Sequence, residues 1–159
     1  MTDQRQPMTL KGKEMLEAEL KHLLQVERPA VIKAIEEARD HGDLSENADY
    51  DAAKEKQGFI EARTNEIKSK LAMADVIDPK SIKENRIVFG ATVELEDLED
   101  ESLKTYQIVG VDESDVKNGK LSVFSPLSRA LIGKKQGDIV EFNSPSGVRE
   151  YEIISFTYK

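Results

Sequence analysis

The hydrophobic period of this chain changes once, and that change decides its class. Up to about residue 77 apolar residues recur at three- and four-residue steps; from Ile87 onward they recur every second residue. The first pattern is that of amphipathic helices and the second that of half-buried strands. Leu16, Leu20, Leu23 and Leu24, then Val31, Ile35 and Ala38, mark the apolar face of a run from Leu10 to Arg39. Thr9 is placed to cap it. Pro29 is expected to kink or restart the helix, and the apolar phase shifts at the same place. A second run, about Leu44 to Val76, carries Ala48, Ala52, Phe59, Ile60, Ile67, Leu71 and Ala74 on one face. Between the runs His41-Gly42-Asp43 is the strong breaker. A short loop between two long amphipathic helices makes them antiparallel neighbours. Arms of about 30 residues span roughly 45 Å at about 1.5 Å per residue, leaving an exposed tip at residues 41–47.

Residues 78–86, DPKSIKENR, are a polar connection. The later half reads as five strands, IVFGATVEL, TYQIVGV, LSVFS, DIVEF and REYEIISFTY, separated by turn-rich stretches. Gly90 inside the first of these is expected at a bulge or a close backbone approach. SPLSRALIGKKQGD suggests one short helix, with Pro126 in its first turn and Gly133 closing it. The expected fold class is α+β with two domains. Residues 1–77 form an antiparallel helical domain, and residues 78–159 form a mostly antiparallel sheet domain with a short helix.

Charge and composition then remove whole classes of function. Lys and Arg number 23 against 31 Asp and Glu, a net charge of −8. Residues 11–77 and 78–159 carry 11 basic and 15 acidic side chains each, so neither half is a basic arm. Autonomous DNA binding is not expected, because such binders draw affinity from counterion release by basic patches. Cys is absent, which excludes disulfides, thiolate metal sites and cysteine nucleophiles and fits a cytoplasmic address. With two His, a classical zinc enzyme is not expected either. No window approaches 18 apolar residues, so no membrane span is expected, and the N-terminus lacks a signal-peptide pattern. A monomer is expected.

The chemistry concentrates at the tip, Arg39-Asp40-His41-Gly42-Asp43-Leu44-Ser45-Glu46-Asn47-Ala48-Asp49-Tyr50. Asp43 and Glu46 are three residues apart, which puts two carboxylates on one side of a helical turn. That spacing admits two compatible readings. One is a capping box with Asp43 as N-cap and Glu46 at the third helical position. The other is a minimal share of a Mg²⁺ site, an ion that takes one or two carboxylates and fills the rest of its octahedron with water and phosphate. Two carboxylates on an open tip leave the remaining ligands to a partner. His41 reads as a polar loop residue, and Tyr50 either stacks on a base or anchors the tip packing. Arg39, Lys54 and Lys56 either face a phosphate backbone or form a solvated helix surface. The Ser125-Pro126 step is a docking loop or simply a helix start.

Here the residues match a specific pattern. EARDHGDLSENADYDAAKEKQGFIEARTNEIKSKL, residues 37–71, closely resembles the signature region of bacterial transcript-cleavage factors of the GreA/GreB family. VFGATVELED, the IVG of residues 108–110 and SPLSRALIGKKQGD resemble that family's C-terminal half. The resemblance covers nearly the whole chain. It implies an N-terminal antiparallel α-helical coiled coil and a C-terminal FKBP-like antiparallel β domain. It implies RNA polymerase as partner, entered through the secondary channel, with the RNA 3′ end of a backtracked complex as the thing acted on. Asp43 and Glu46 then help hold a catalytic Mg²⁺ shared with the polymerase, which itself hydrolyses the RNA. Arg39 and Lys54 match the RNA-facing positions, and Ser125 and Pro126 the region that docks on the polymerase. A non-cleaving regulator of the same channel is the alternative. Two departures stand out: Ser45 where a basic residue is common, and Ser128 where Ala or Gly is usual.

Overall fold

A computed structural model gives the structure of the chain over residues 5–42 and 47–159. It divides into two compact units, residues 13–73 and residues 5–12 together with 74–159. The cut differs from the expected one at 77/78. The residues ahead of the first helix belong with the sheet, because a short strand β1 (Gln6–Thr9) pairs in parallel with β2 (Ala74–Ile77). Residues 74–77, expected as the end of a helix, are extended for this reason.

The helical unit holds most of α1 (Leu10–His22), then α2 (Arg28–Asp40) and α3 (Ala48–Ala72). Thr9 Oγ1 accepts the Gly12 N–H at 3.1 Å, so Thr9 caps α1 as its position suggested. At Pro29 the helix restarts without breaking. Residues Leu23–Glu27 form a π-turn, closed by the Arg28 N–H on the Leu23 carbonyl, and backbone angles at His22, Glu27 and Arg28 stay right-handed helical. Proline has no N–H to offer the preceding turn and its ring crowds the carbonyl four residues back. A π-turn makes room by inserting one extra residue, which shifts the apolar phase.

Leu16, Leu23, Val31, Ile35 and Ala38 are buried, and so are Ala53, Ile60, Thr64 and Ile67 of α3, which packs on α2 and the turn before it. Across the seam Arg63 donates two hydrogen bonds to Glu19 (2.6 and 2.8 Å) and Arg28 two to Glu61 (2.8 and 2.9 Å). Partner numbers rise on one side as they fall on the other, so the helices run antiparallel. Three expected seam positions face water instead: Ala48 and Ala52 are exposed, and Phe59 is 67% exposed.

The sheet unit carries five strands beyond β2: β3 (Thr92–Asp97), β4 (Leu103–Val109), β5 (Lys120–Ser122), β6 (Ile139–Ser144) and β7 (Gly147–Thr157). Their spatial order is β5-β4-β3-β7-β6. The β3–β4, β3–β7 and β6–β7 pairs are antiparallel and β4–β5 is parallel, so the sheet is mixed but mostly antiparallel. One face packs on α4 (Pro126–Leu131) and the segment before β3; Ile87, Val93, Leu95, Ile108, Leu131 and Ile153 are wholly buried there. Full burial of such a side chain is worth about 1.5–3 kcal/mol, so this core is enough to hold the unit's shape. Gly90 lies in a turn before β3 with φ +93°, where a Cβ would sit 3.2 Å from Ile82 Cδ1. It is a turn glycine rather than a bulge in a strand. Asp97, also wholly buried, accepts the Glu99 N–H and is paired with Arg149 at 3.0 Å, which meets the desolvation cost of its charge.

Candidate functional site at the end of the helical pair

The loop that joins α2 to α3 is built from its two helix ends inward. α2 closes with His41 as C-cap, its N–H on the Ala38 carbonyl at 3.2 Å. Gly42 follows with φ +105° and donates to the Arg39 carbonyl at 3.1 Å. A glycine in the left-handed region is the common way to turn a chain off a helix. On the other side α3 begins at Ala48, capped by Asn47, whose Oδ1 accepts the Tyr50 N–H at 3.0 Å. The cap of α3 is therefore Asn47, and the expectation that Asp43 caps the second helix is corrected. The helix starts four residues later than the apolar pattern suggested, so the cap moves with it.

Asn47 does a second thing. Its Nδ2 donates to the Ala38 carbonyl at 2.6 Å, bridging the start of α3 to the last turn of α2. One side chain thus satisfies an orphan amide of one helix and gives an end carbonyl of the other, already bonded to the His41 N–H, a second hydrogen bond. The base of the loop is closed by this bridge. Sequence reasoning missed Asn47 although the signal was present: an Asn immediately ahead of a helical run is among the best N-caps.

Asp43 and Glu46 lie outside the described residues, as does Ser45. Among the described residues, no group of three or more His, Asp or Glu is arranged to hold a metal ion. Arg39 is exposed in the last turn of α2 and Lys54 exposed in the second turn of α3, where its Nζ donates to Gln57 Oε1 at 3.0 Å. The helix ends thus place both cations within two turns of the loop. His41 is exposed, Tyr50 is half-buried, and Asp49 and Asp51 are exposed in the first turn of α3, where the helix dipole favours anions.

The second candidate surface starts at α4. Ser125 Oγ accepts the Ser128 N–H at 3.2 Å and donates to Ser128 Oγ at 3.0 Å, so the hydroxyl is spent on capping. Pro126 is exposed at the first helical position, and Phe124 just before it is about half exposed. Ser128 is wholly buried beneath them, its hydroxyl satisfied by Ser125.

The comparisons with known proteins agree with this organisation. Residues 6–76 match the family model described as transcription elongation factor, N-terminal, and residues 82–158 match the one for the GreA/GreB C-terminal part. A transcription elongation factor GreA from Neisseria meningitidis serogroup A is 58% identical over 156 residues, covering 98% of this chain and 99% of that protein. One from Thermodesulfovibrio yellowstonii is 54% identical over the full length of both chains. Among solved structures, GreA factor homolog 1 of Thermus thermophilus is 27% identical, covering 96% of this chain and 98% of that one, with a TM-score of 0.44. With both halves matched in order and full-length relatives above half identity, this chain belongs to the GreA/GreB family of transcription elongation factors.

Proposed function

We propose that this chain binds RNA polymerase through its secondary channel and stimulates the polymerase's own Mg²⁺-dependent cleavage of RNA in backtracked, arrested complexes. The observation that carries the reading is the Asn47 bridge. It ties the start of α3 to the last turn of α2, so that Asp43 and Glu46 of the sequence fall between two helix ends fastened to each other. In this reading the helical pair is an antiparallel coiled coil and the sheet unit an FKBP-like domain.

Asp43 and Glu46 are hard oxygen donors of the kind Mg²⁺ prefers, and two of them form only part of its shell. The chain is therefore a cofactor of the polymerase and not an enzyme by itself. When bound, the ion activates water and stabilises charge on the scissile phosphate. This chain's share is to place the two carboxylates, while Arg39 and Lys54 offset the phosphate charge of the RNA 3′ end. Ser125 and Pro126, with exposed Phe124 beside them, form the surface that docks on the polymerase. The net charge of −8 supports a substrate held by the polymerase and not by this protein. The protein acts as a cytoplasmic monomer.

The test is a backtracked polymerase complex with labelled RNA. Wild type should release shortened, extendable transcripts. Asp43→Asn with Glu46→Gln should leave folding and polymerase binding intact, because α3 is capped by Asn47, and should lower cleavage by at least about tenfold at limiting Mg²⁺. Normal cleavage by that double variant, with binding confirmed, would remove both carboxylates from the chemistry.

A further inference from the structure

Asparagine before glycine carries a chemistry of its own. The backbone nitrogen of the following residue can attack the side-chain amide carbon, and glycine has no side chain to shield that nitrogen. Of the five asparagines in the chain only Asn118 precedes a glycine; the others precede Ala48, Glu66, Arg86 and Ser144. Asn118 is exposed and ends a single 3₁₀ turn, Val116–Asn118, between β4 and β5. Gly119 does not tolerate a larger residue in its place. Its φ is +74°, and a Cβ would sit 2.9 Å from the Thr105 carbonyl oxygen. The fold thus requires the glycine that makes Asn118 reactive.

Both reacting groups are engaged elsewhere while the turn is closed. The Gly119 N–H donates to the Val116 carbonyl at 3.0 Å, and Asn118 Nδ2 donates to Asp115 Oδ2 at 2.6 Å. Attack needs a deprotonated amide nitrogen and a free side-chain carbon, about 3–3.5 Å apart and aligned. It therefore waits for the turn to open. Few bonds hold the turn shut. Asp115 and Lys120 exchange two backbone hydrogen bonds (2.8 and 2.9 Å), and the Gly119 carbonyl accepts the Gln107 N–H at 2.7 Å. An exposed turn at a sheet edge opens locally at far lower cost than global unfolding.

We propose that Asn118 is a modification site: when the turn opens it deamidates to aspartate or isoaspartate, and the product unfastens the edge strand β5 from β4. The Gly119 nitrogen gives its proton to hydroxide and bonds to Asn118 Cγ. The Cγ–Nδ2 bond breaks, and ammonia leaves with a proton from water, which regenerates the hydroxide. Water then opens the cyclic imide at either carbonyl, so one water is consumed for each ammonia released. Either product removes its own restraint. Aspartate puts a carboxylate where Nδ2 had donated to Asp115, and like charges repel. Isoaspartate adds one carbon to the main chain between positions 118 and 119, which displaces the Gly119 carbonyl from the Gln107 N–H. β5 has three residues, Lys120–Ser122, so these bonds are a large part of its hold on β4. The Ser122 carbonyl accepts the Ser125 N–H at 2.9 Å, so loosening of β5 reaches the proposed docking surface directly.

The test incubates the full chain at neutral pH in water enriched in heavy oxygen and reads each asparagine by peptide mass spectrometry. The label marks only conversions that occur during incubation. Asn118 should convert first of the five, about tenfold more slowly than in the same chain unfolded in guanidinium. Asp115→Ala, which frees the amide, should convert at least about threefold faster than wild type; Asp115→Asn keeps an accepting oxygen and should stay close to the wild-type rate. The converted protein, separated by its extra negative charge, should show hydrogen exchange raised at least about tenfold at the Gln107 and Lys120 amides, with the β3 and β7 amides unchanged. Its half-saturating concentration in the cleavage assay should rise at unchanged maximum, the one arm that rests on the proposed function. Equal rates in the folded and unfolded chain would overturn the proposal, as would an unmodified Asn118 once the unfolded chain has converted fully. A wild-type rate in Asp115→Ala, or unchanged exchange in the converted protein, would do the same. If Asp115→Ala does not fold, the contrast between folded and unfolded wild type decides alone. An unchanged half-saturating concentration would refute the link from β5 to docking. Absence of cleavage by wild type would refute the functional reading, while the mass and exchange arms would still judge the site.

Discussion

Asn47 shows how much one side chain can do at the end of a helical pair. Its oxygen and nitrogen serve two different helices at once, so its substitutions separate the two tasks. Asn47→Ala loses both and should cost about 1–2 kcal/mol, measured by urea unfolding. Asn47→Asp keeps a good cap but turns a carboxylate oxygen toward the Ala38 carbonyl where a donor had been. Asp is otherwise about as good a cap as Asn, so any destabilisation of Asn47→Asp reports the lost bridge and the repulsion between oxygens that replaces it; near-wild-type stability would show that the bridge contributes nothing.

At the scale of the helices, the seam carries one polar exception. Thr64 is wholly buried and its hydroxyl has no partner among the described residues. A buried hydroxyl without a hydrogen bond costs about 1–3 kcal/mol, and valine has nearly the same shape. Thr64→Val should therefore raise the thermal midpoint, with a gain of up to about 1 kcal/mol; a loss would mean that the hydroxyl is satisfied. The ion pairs along the seam behave differently, because they depend on pH. The two hydrogen bonds from Arg63 hold the Glu19 carboxyl below its ordinary value of 4.5, against a smaller opposing effect of burial. A depressed carboxylate stabilises the fold above its unfolded value and loses that contribution as pH falls through the lower folded value. Wild type should thus lose more stability than Arg63→Met between pH 7 and pH 3. Glu19 is about 40% exposed, so the difference should stay below about 1 kcal/mol. Equal acid sensitivity in denaturant titrations at the two pH values would show that the pair is fully screened.

For the whole molecule, the division into units makes a clear statement about fragments. Every residue of the sheet core lies at or after Ile87, so residues 78–159 contain the complete core. That fragment should unfold cooperatively and compete with the full chain for RNA polymerase. It lacks β1, β2 and Thr9, so it should be less stable than the same sheet in the full chain, where Glu113 and Gly110 have their partners. A fragment that folds but does not compete would move the docking surface away from Ser125 and Pro126.

Much of this architecture was legible in the sequence because its signals are local. A three-to-four-residue period identified Leu16, Leu23, Val31, Ile35, Ala38, Ile60 and Ile67 as seam residues, and all are buried. Period two and turn residues located most of the five-stranded sheet, and the cap at Thr9 and the helix start at Ser125-Pro126 followed from residue type and position. Phe59 was misplaced, with Ala48 and Ala52, because the neighbouring apolar residues Phe59 and Ile60 offer two candidate faces, and only packing against the partner helix selects the one that carries Ala53, Ile60, Thr64 and Ile67. β1 and β2 carry four residues each, too few to show a period, and exist because each supplies the other's hydrogen bonds. The hydrogen bonds that Glu113 accepts from the Thr9 and Gly110 amides were beyond any pattern, since the donors stand 104 and three residues away and only folding brings them to one carboxylate. By itself the sequence determined most of the residues that turn inward within each element, because burial follows the period of the backbone. Tertiary structure decided which distant groups complete one another's hydrogen bonds, because those bonds depend on atoms placed within about 3 Å, which no spacing along the chain encodes.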